Sequence, residues 1–522
     1  MLFRRRTLLF VSLPICIVWL AYRHYTSREQ SSSSSSGEKK TKGFFNGLIG
    51  RATSGGPSSC EGHCGGWAEN CWCDESCESH GNCCEDYKSV CKSPKTCPTC
   101  PNSEYNCDDW IKWDPSRYSC ASLEKDFNCD CTGCTKCDQP PRSNAATLHL
   151  LDTKTYPQAR CLDGSMAGYY LRRGAEPKFL IFLEGGGWCY DDQCNPPTKA
   201  GTLANCRERS GSRLGSSRRW YSVLDAQLTG ALSSDPIANP VFHNWTLVYL
   251  PYCDGASFSG NQEKDGLHFR GKAILDSVIA ETKKTLNIQQ AQQVVLSGGS
   301  AGASAVYYHI DQVRDDLGVP PGVLYGLPDA GFFLNLPDKD GIDCWPAQMK
   351  SLFDNFVTYR DLNKKCLDKF STEPWKCLYP EYFADLIETP VFALNSLYDS
   401  SETRYTLRLN CCPSSNCGGG EYPCSTRDLA LFQSMRDKHE EAWKSLISKN
   451  NSGVWAPSCI AHTMSWDTWT NAAWSVPADS KNTMAAVVGR WLAGEDDGSH
   501  FNYQDPVPYP DNKPCSGTTF GW

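Results

Sequence analysis

The segment Gly298-Gly299-Ser300-Ala301-Gly302 surrounds one serine with four small residues. An apolar run, Val294–Leu296, precedes it and a helical pattern follows, which predicts a turn between a strand and a helix. A serine in such a turn is strained, so its neighbours must be small. The helix N-terminus behind the turn can stabilise an oxyanion. The pattern predicts that Ser300 is a nucleophile, the alternative being a glycine-rich turn that only joins two elements.

A serine hydroxyl needs a base to take its proton, and the base needs an acid that fixes its tautomer. Hydrolases of the α/β type supply these groups in the chain order Ser, Asp, His. Three histidines lie beyond His309. His439 lies in a charged helical pattern, MRDKHEEAW, and His500 in a polar loop, so we expect both in solvent. His462 lies among apolar residues in SCIAHTMSW and is the expected base.

Two aspartates compete for the role of the acid. Asp399 directly follows an apolar run, Val391–Leu397, which predicts a strand. Functional groups of an α/β sheet lie at the carboxyl ends of its strands, which favours Asp399. Asp329, in GLPDAGFFLN, also follows a short apolar stretch and is the second candidate.

The oxyanion needs backbone N–H groups from two places. Ala301, which follows the serine, supplies one, and the glycines in LEGGGWC supply the other, with Gly186 and Gly187 as the expected donors. The alternative for these glycines is a tight turn without a ligand. This chemistry requires no metal and no organic cofactor, and we expect neither.

Unbroken apolar runs predict the elements that position these groups. They occur in KFLIFL, WTLVYL, QQVVL and TPVFAL and are typical of central parallel strands covered on both faces. After Ser300 the apolar residues Val306, Ile310, Val313 and Leu317 share one helix face. Residues 145–522 are therefore predicted to form one α/β domain with a central parallel sheet and helices on both faces.

The cysteines indicate the compartment. The chain has 522 residues and 31 cysteines, of which all but Cys16 follow the N-terminal apolar stretch. This density points to disulfides and the secretory pathway rather than to zinc sites in the cytosol. The net charge of -8 is spread without a basic patch, which argues against nucleic acid as a partner.

The N-terminus predicts membrane attachment. Arg4–Arg6 precede an apolar run, Leu8–Tyr22, and no small-residue cleavage site directly follows it. Residues 1–25 are thus predicted to be an uncleaved type II signal anchor, with a cleaved signal peptide and secretion as the alternative. Residues 26–58 are a flexible Ser-rich stem. The sequons at Asn244 and Asn450 are expected to be glycosylated in the lumen.

Two small cysteine-rich modules precede the α/β domain. In residues 59–92 eight cysteines, including a C-x-C and the vicinal pair Cys83-Cys84, resemble the somatomedin B domain. The resemblance implies four disulfides, a compact knot and a protein partner; a rigid spacer is the alternative. Residues 93–140 hold eight more cysteines. The last four of them, Cys129, Cys131, Cys134 and Cys137, also have a spacing suited to zinc, although an oxidising lumen favours disulfides.

The α/β segment carries FLEGGGWC, PYCDGASFSG, LSGGSAGA, DAGFF and LYDSSE in this order. Together they resemble the pectin acetylesterase family, which also includes the carboxylesterase Notum. The resemblance implies an α/β-hydrolase-like fold, a triad on Ser300, Asp399 and His462, and a structural role for Asp329. Its oxyanion donors fall on the Gly186-Gly187 region and Ala301. The anchor and the cysteine modules are additions to the family pattern.

The leading hypothesis is a serine esterase that removes acetyl groups from a polysaccharide or glycan. One alternative is a Notum-like deacylase that removes a fatty acyl group from a protein. Another is a catalytically silent extracellular protein that binds through the somatomedin B-like module, but an intact Ser, Asp, His set argues against it. The substrate, the acyl chain length and the disulfide pairing do not follow from the sequence.

Overall fold

The computed structural model describes two compact units, Met1–Pro94 and Lys95–Trp522. The described residues are 67–68, 71–72, 83–84, 97–101, 103–113, 123–124, 127–131, 134, 144–175, 177–190, 203–357, 361–409, 411, 424–449, 451–509 and 511. The predicted anchor and the predicted stem lie outside them. None of the helices within these ranges combines the length and the apolar character that a membrane crossing requires.

In the first unit two short strands, β1 (Trp67–Ala68) and β2 (Cys71–Trp72), pair antiparallel. Cys83 and Cys84, the vicinal pair of the somatomedin B-like segment, are both disulfide-bonded. The unit is therefore crosslinked, as a segment too short for its own apolar core requires.

The second unit contains the remaining elements. Its strands are β3 (Ala146–Leu150), β4 (Gly168–Arg172), β5 (Lys178–Leu183), β6 (Val223–Leu224), β7 (Thr246–Leu250), β8 (Gln262–Lys264), β9 (Leu267–Phe269), β10 (Gln293–Gly299), β11 (Leu324–Asp329), β12 (Phe392–Leu394), β13 (Tyr398–Asp399), β14 (Gly453–Ala456), β15 (Ile460–Ala461) and β16 (Asn502–Gln504). Its α-helices are α1 (Cys107–Trp113), α2 (Ala204–Ser210), α3 (Gly271–Leu286), α4 (Ala301–Leu317), α5 (Cys344–Phe356), α6 (Lys364–Lys369), α7 (Thr426–Ile447) and α8 (Met484–Ala493). Short 3-10 turns cover Ser217–Arg219, Gly230–Leu232, Ile288–Gln290, Pro374–Leu378, Pro380–Tyr382, Ala384–Leu386 and Ala472–Trp474, and a π-helical turn covers Glu402–Thr406.

Ten strands form one sheet in the order β16-β14-β12-β11-β10-β5-β7-β4-β3-β6. The seven strands from β16 to β7 run parallel, whereas β4, β3 and β6 continue the sheet antiparallel. All four predicted apolar runs lie in the parallel part, which confirms the predicted α/β architecture. The parallel part aligns the carboxyl ends of its strands along one edge, where functional groups of such sheets lie.

Side chains on alternate positions of the central strands enter two separate cores. In β10 Val294 and Leu296 pack on one face and Val295 packs on the other. The first face is covered by α3, α4, α5 and α7, and the second by α8 and tryptophan-rich loops. The predicted apolar face of α4, comprising Val306, Ile310, Val313 and Leu317, is buried in the first core. Because both faces are covered, the central strands carry apolar residues at consecutive positions, as Phe179–Leu183 in β5 and Val294–Leu296 in β10 show.

The second cysteine-rich segment is held by disulfides. Three bonds join Cys97 to Cys134, Cys100 to Cys129 and Cys107 to Cys131. Three of the four cysteines at zinc-like spacing therefore have their sulfurs in disulfides, and the zinc alternative is wrong for these residues. The α/β part adds four bonds among its described cysteines, namely Cys161–Cys253, Cys189–Cys206, Cys366–Cys377 and Cys411–Cys424.

The strand predicted over Val391–Leu397 is shorter than expected. Strand β12 ends at Leu394, and Asp399 lies in β13, which pairs with β15 instead of continuing the main sheet. The interruption has a polar cause, because Asn395 Oδ1 accepts a hydrogen bond from the Phe332 N–H and Ser396 Oγ accepts one from the Tyr398 N–H. The N–H groups of Asn395 and Leu397 still donate to the carbonyls of Trp455 and Pro457, but the added side-chain bonds compete with regular strand pairing, as short polar side chains often do.

Helix α4 approaches β5 so closely that its second residue must be glycine. A Cβ atom on Gly302 would lie 2.1 Å from the carbonyl oxygen of Leu183, the last residue of β5. The neighbouring atoms are backbone and cannot move aside without disturbing the sheet. The start of α4 is thereby held against the strand that leads into the glycines of LEGGGWC.

We expect Gly302→Ala to destabilise the protein by about 1–3 kcal/mol or more, as overpacking against a rigid backbone does. Gly489→Ala in α8 is the matched control, because its new Cβ would meet only a Val241 side-chain atom at 3.6 Å. That change should be neutral, or stabilising by up to about 1 kcal/mol from helix propensity. Urea unfolding of both variants measures the difference, and equal stabilities would contradict the close approach.

Candidate active site

Ser300 lies between β10 and α4 in a strained turn. Its backbone angles are φ 55° and ψ −124°, a region that non-glycine residues rarely occupy. The Ser300 N–H donates to the carbonyl oxygen of Asp329 at 2.9 Å, and the Ser300 carbonyl accepts from the Ser304 N–H at 3.0 Å. The predicted strand–turn–helix context is confirmed, and such stored strain is typical of functional positions.

Asp399 and His462 form a hydrogen-bonded pair. Nδ1 of His462 lies 2.8 Å from Oδ2 and 3.0 Å from Oδ1 of Asp399. The pairing of β13 with β15 brings these residues together, because Asp399 is opposite Ala461 in the register. Asp399 Oδ1 also accepts the N–H groups of Ser401 and Glu402 at 2.8 and 3.2 Å. A carboxylate held in this way keeps the proton on Nδ1 and leaves Nε2 as an acceptor.

The surroundings of His462 favour its charged form. Burial by itself lowers the pKa of His462, but the charge and the hydrogen bond of Asp399 outweigh it. The more distant carboxylates of Asp329 and Glu402 add to the same effect, so the pKa of His462 is raised above 6.5. An imidazolium formed during a reaction is thus stabilised by a buried carboxylate, which is the role of the acid in a hydrolase triad.

Asp329 connects the serine turn to the histidine loop. Its carbonyl oxygen accepts from Ser300, and its carboxylate accepts the N–H groups of Met464 and Ser465 at 3.1 and 2.7 Å. Burial raises the pKa of Asp329, against the opposing effect of these N–H groups. Its carboxylate thus binds the backbone that follows His462 rather than the imidazole. This geometry fits a structural role for Asp329 and favours Asp399 as the acid.

Among the described residues no hydrogen bond joins the Ser300 hydroxyl to the His462 ring. Thr463, which follows the histidine, nevertheless lies beside the serine turn, since its Cγ2 would be 3.4 Å from a Cβ on Gly299. The serine–base hydrogen bond of hydrolases is often long without substrate and tightens when substrate binds. The three predicted residues are therefore brought to one place, with the acid–base pair already formed.

The glycines after β5 lie beside the serine. A Cβ on Gly185 would be 2.9 Å from the Ser300 Cβ, so only glycine fits there. Gly187 has a φ of 65°, and the Gly186 carbonyl accepts a hydrogen bond from Arg209 at 2.6 Å. Ala301 is the first residue of α4, whose N-terminal N–H groups have no partner within the helix. This arrangement suits the expected donors Gly186, Gly187 and Ala301.

An aromatic cluster, comprising Trp188, Phe333 and Trp345, lies next to His462. The Trp188 ring is 5.0 Å from Phe333 and 5.1 Å from Trp345, measured between ring centroids. Phe333 also lies 6.0 Å from the His462 ring, and the Trp188 indole donates to Ser257 Oγ at 2.7 Å. Phe333 and Trp345 are each 4% exposed, so the cluster fills the space beside the base.

His439 is buried, so its predicted exposure is wrong. Its Nε2 lies 2.8 Å from Glu402 Oε2, and both side chains are at most 1% exposed. Glu402 Oε1 in turn accepts the Leu334 N–H at 2.8 Å and so holds the segment that carries Phe333. His439 is four residues from both Met435 and Trp443, so it shares their helix face, which is buried. This spacing indicates burial, but the charged residues next to His439 in the sequence obscured it. His500 is 88% exposed, as expected.

The predicted glycosylation sites lie apart from this cluster. Asn244 lies two residues before β7 and is half-buried, with its Oδ1 accepting the Ala175 N–H at 3.1 Å. Asn450 lies outside the described residues. Glycosylation at both sequons stays a prediction.

Comparison with known proteins agrees with both resemblances. The pectinacetylesterase family matches residues 140–516, and the somatomedin B domain matches residues 58–94. Pectin acetylesterase 5 of Arabidopsis thaliana is 34% identical over 403 residues, which cover 72% of this chain and 86% of that protein. The palmitoleoyl-protein carboxylesterase NOTUM of Schmidtea mediterranea is 26% identical over 379 residues, or 69% of this chain and 66% of that protein. A crystal structure of the Wnt deacylase Notum from Drosophila superposes with a TM-score of 0.57 at 25% identity, covering 71% of this chain and 99% of that one.

We expect an NMR titration of the full-length protein to give His462 a pKa above 6.5. Below that pKa the ring is protonated and cannot act as a base, so its neutral form predominates only at higher pH. Asp399→Asn should lower the pKa, because it removes the charge that most strongly favours the imidazolium.

Asp329→Asn is the matched control and should lower the pKa of His462 less, because that carboxylate binds backbone N–H groups. A larger decrease in Asp329→Asn than in Asp399→Asn would show that the acid has been assigned to the wrong aspartate.

Proposed function

The chain belongs to the pectinacetylesterase family and is a carboxylic ester hydrolase, and from this premise we propose that Ser300, His462 and Asp399 are its catalytic triad. We further propose that its substrate is an acetyl ester on a glycan or polysaccharide. The observation that carries the triad is the hydrogen-bonded Asp399–His462 pair, held at the carboxyl edge of the sheet beside a serine with φ 55°.

In the proposed reaction Nε2 of His462 takes the Ser300 proton as Oγ attacks the ester carbonyl. The imidazolium is stabilised by Asp399, which stays ionised. The tetrahedral intermediate then expels the sugar oxygen, which receives the proton from His462, and an acyl-serine remains. Water, activated by the same histidine, hydrolyses the acyl-serine and releases the carboxylic acid.

The negative charge that develops on the carbonyl oxygen needs donors placed in advance. We propose the N–H groups of Gly186, Gly187 and Ala301 for this role, as the sequence predicts. The support is geometric, because the glycine loop contacts the serine turn at Gly185 and α4 directs its N-terminus to the same point. Removal of one such donor typically costs about 10²–10³ in rate.

The aromatic cluster favours a short acyl group. Trp188, Phe333 and Trp345 pack against one another, and Phe333 also packs against His462. We propose that these rings limit the space for a long acyl chain beside His462. Pectin acetylesterases are also the more similar relatives by identity and coverage. Removal of a fatty acyl group from a protein remains the second candidate, because the Notum relatives are palmitoleoyl-protein carboxylesterases.

The disulfides and the relatives of this chain point to the secretory pathway. We propose that residues 1–25 anchor the protein in the membrane with the esterase on the luminal or extracellular side. We also propose that the somatomedin B domain binds a protein partner. The apolar run behind Arg4–Arg6 supports the first proposal and the family match supports the second.

Ser300→Ala should abolish the release of acetate from acetylated xylan and from 4-nitrophenyl acetate, by a factor on the order of 10⁶ for a triad nucleophile. Ser297→Ala is the matched control, since that serine lies in β10, three residues before Ser300, and its hydroxyl donates to the Leu327 carbonyl at 2.6 Å. Ser297→Ala should retain most of the activity. A Ser300→Ala enzyme with more than about one hundredth of the wild-type rate would exclude Ser300 as the nucleophile.

Trp345→Leu should raise the relative rate on longer acyl esters, because a smaller side chain opens space in the aromatic cluster. The readout is kcat/KM for 4-nitrophenyl octanoate divided by kcat/KM for the acetate, which cancels differences in the amount of folded enzyme. Trp375→Leu is the matched control, since its ring contacts Tyr379 and Lys376 rather than Trp188, Phe333 or His462.

We expect the wild type to prefer the acetate. In Trp345→Leu the ratio should rise about tenfold or more, because hydrophobic pocket contacts worth about 1–3 kcal/mol change substrate discrimination by at least that factor. A wild-type preference for octanoate would favour the deacylase alternative instead.

A further inference from the structure

A groove separate from the triad runs between helix α7 and the edge strand β16. Its volume is about 660 Å³. Its helix side is lined by Arg436, Glu440 and Lys444, and its strand side by Asn502, Gln504 and Asp505. Among the strands that the structure describes, β16 pairs only with β14, so it lies at the end of the sheet and its outward-facing polar side chains form one wall.

Two hydrogen-bond acceptors in the groove lack a partner. Asp505 is 1% exposed, and its Oδ1 accepts the Val507 N–H at 3.1 Å. Its Oδ2 is buried without a hydrogen bond among the described residues, as is Oε1 of Gln504. A buried acceptor without a donor is unfavourable, so these oxygens favour a ligand or solvent that brings donors.

The wall that carries Asp505 is rigid. Arg436 is 8% exposed and its guanidinium donates to Glu440 at 2.8 Å, to Ser458 Oγ at 3.1 Å and to the Asp505 carbonyl at 2.8 Å. The Asp505 N–H also donates to the Ala456 carbonyl at the end of β14. The unpartnered carboxylate oxygen is thus held in place before any ligand binds, which lowers the entropic cost of binding.

The charges in the groove favour a neutral ligand. The guanidinium of Arg436 is already paired with Glu440, and Lys444 is paired with Glu441 on the surface. His500, which also lines the groove, pairs with Asp496. Each cationic side chain among the described lining residues thus has a carboxylate partner other than Asp505, so the Asp505 carboxylate disfavours an anion in the groove. Sugar hydroxyls both donate and accept, and so they match free acceptors beside polar side chains.

The Asp505 end of the groove lies at the same edge of the sheet as the proposed triad, and the end lined by His500 and Asn502 lies where β16 begins. Asp505 directly follows the carboxyl end of β16, and Ser458, which binds Arg436, is four residues before His462. β16 is four strands away from β10, which corresponds to roughly 20 Å at ordinary strand spacing. A chain of several sugars along this edge would reach both the groove and Ser300.

We propose that this groove is an accessory subsite for a neutral, hydroxyl-rich sugar chain whose acetyl ester lies at Ser300. Asp505 Oδ2 and Gln504 Oε1 accept hydrogen bonds from its hydroxyl groups. The inference rests on the proposed function and extends it, because it selects neutral glycans over polyuronates as the class of substrate.

The first test measures the binding of acetylated oligosaccharides to the full-length protein with Ser300→Ala, in which the acetyl ester of the probe is not hydrolysed. The probes are acetylated xylo-oligosaccharides, which are neutral, and acetylated oligogalacturonides of equal length, which are anionic; calorimetry measures both. We expect tighter binding of the neutral probe. Adding Asp505→Asn, which replaces the acceptor oxygen with a donor of the same shape, should weaken it about tenfold.

The matched control is Asp497→Asn, an equivalent change at a surface aspartate that pairs with Arg490 outside the groove. It should leave binding unchanged. If Asp505→Asn folds poorly, Gln504→Leu is the second variant, and it should also weaken binding of the neutral probe. Unchanged binding of the neutral probe in Asp505→Asn and Gln504→Leu, or tighter binding of the anionic probe by Ser300→Ala, would overturn the subsite.

A second readout separates this inference from the proposed function. In enzyme with Ser300 intact, Asp505→Asn should raise KM for the acetylated xylo-oligosaccharide relative to KM for 4-nitrophenyl acetate. Acetate release from the oligosaccharide with an unchanged KM ratio would overturn the subsite and leave the glycan esterase in place. Hydrolysis of 4-nitrophenyl acetate without any release from glycans would overturn both.

Discussion

The arrangement of the candidate active site depends on one buried residue, Asp329. Its carbonyl oxygen accepts a hydrogen bond from the Ser300 N–H. Its carboxylate accepts hydrogen bonds from the N–H groups of Met464 and Ser465, in the loop that carries His462. Strand β11, which ends at Asp329, lies next to β10 in the sheet, so one position can bind the turn and the loop together. A carboxylate buried at 1% exposure is costly unless hydrogen bonds satisfy it, and here those bonds define the distance between the candidate nucleophile and base.

A second set of side-chain acceptors holds the segment that carries Phe333. Glu402 holds the Leu334 N–H, Glu381 holds the Asn335 N–H at 2.5 Å, and Asn395 holds the Phe332 N–H. The segment that places Phe333 against His462 is therefore attached to the turn that carries Asp399. Because Glu402 also binds the buried His439, hydrogen bonds connect the turn that carries Asp399, the segment that carries Phe333 and helix α7.

The parallel part of the sheet relates the candidate active site to the polar groove. Parallel strands bring their carboxyl ends to one edge, so that Gly185, Ser300, Asp329 and Asp505 lie in a row although they are far apart in sequence. Strands β14 and β16 extend the row beyond β12. An enzyme acting on a polymer benefits from such an edge, because binding energy collected at a distance from the ester can position it for attack.

Local patterns in the sequence were sufficient for the serine turn, the central strands and the face of α4, because each depends on residues within about fifteen positions of one another. They also distinguished His462, among apolar residues, from the exposed His500 in a polar loop.

Local patterns left Asp399 and Asp329 in competition, since both follow an apolar stretch. Only the pairing of β13 with β15 places the Asp399 carboxylate on the imidazole. The burial of His439 and the disulfides of Cys129, Cys131 and Cys134 likewise depended on partners distant in the chain. The sequence by itself thus determined which chemical groups are present and which elements carry them. The tertiary structure decided which groups meet, because contacts between distant segments arise from packing rather than from local periodicity.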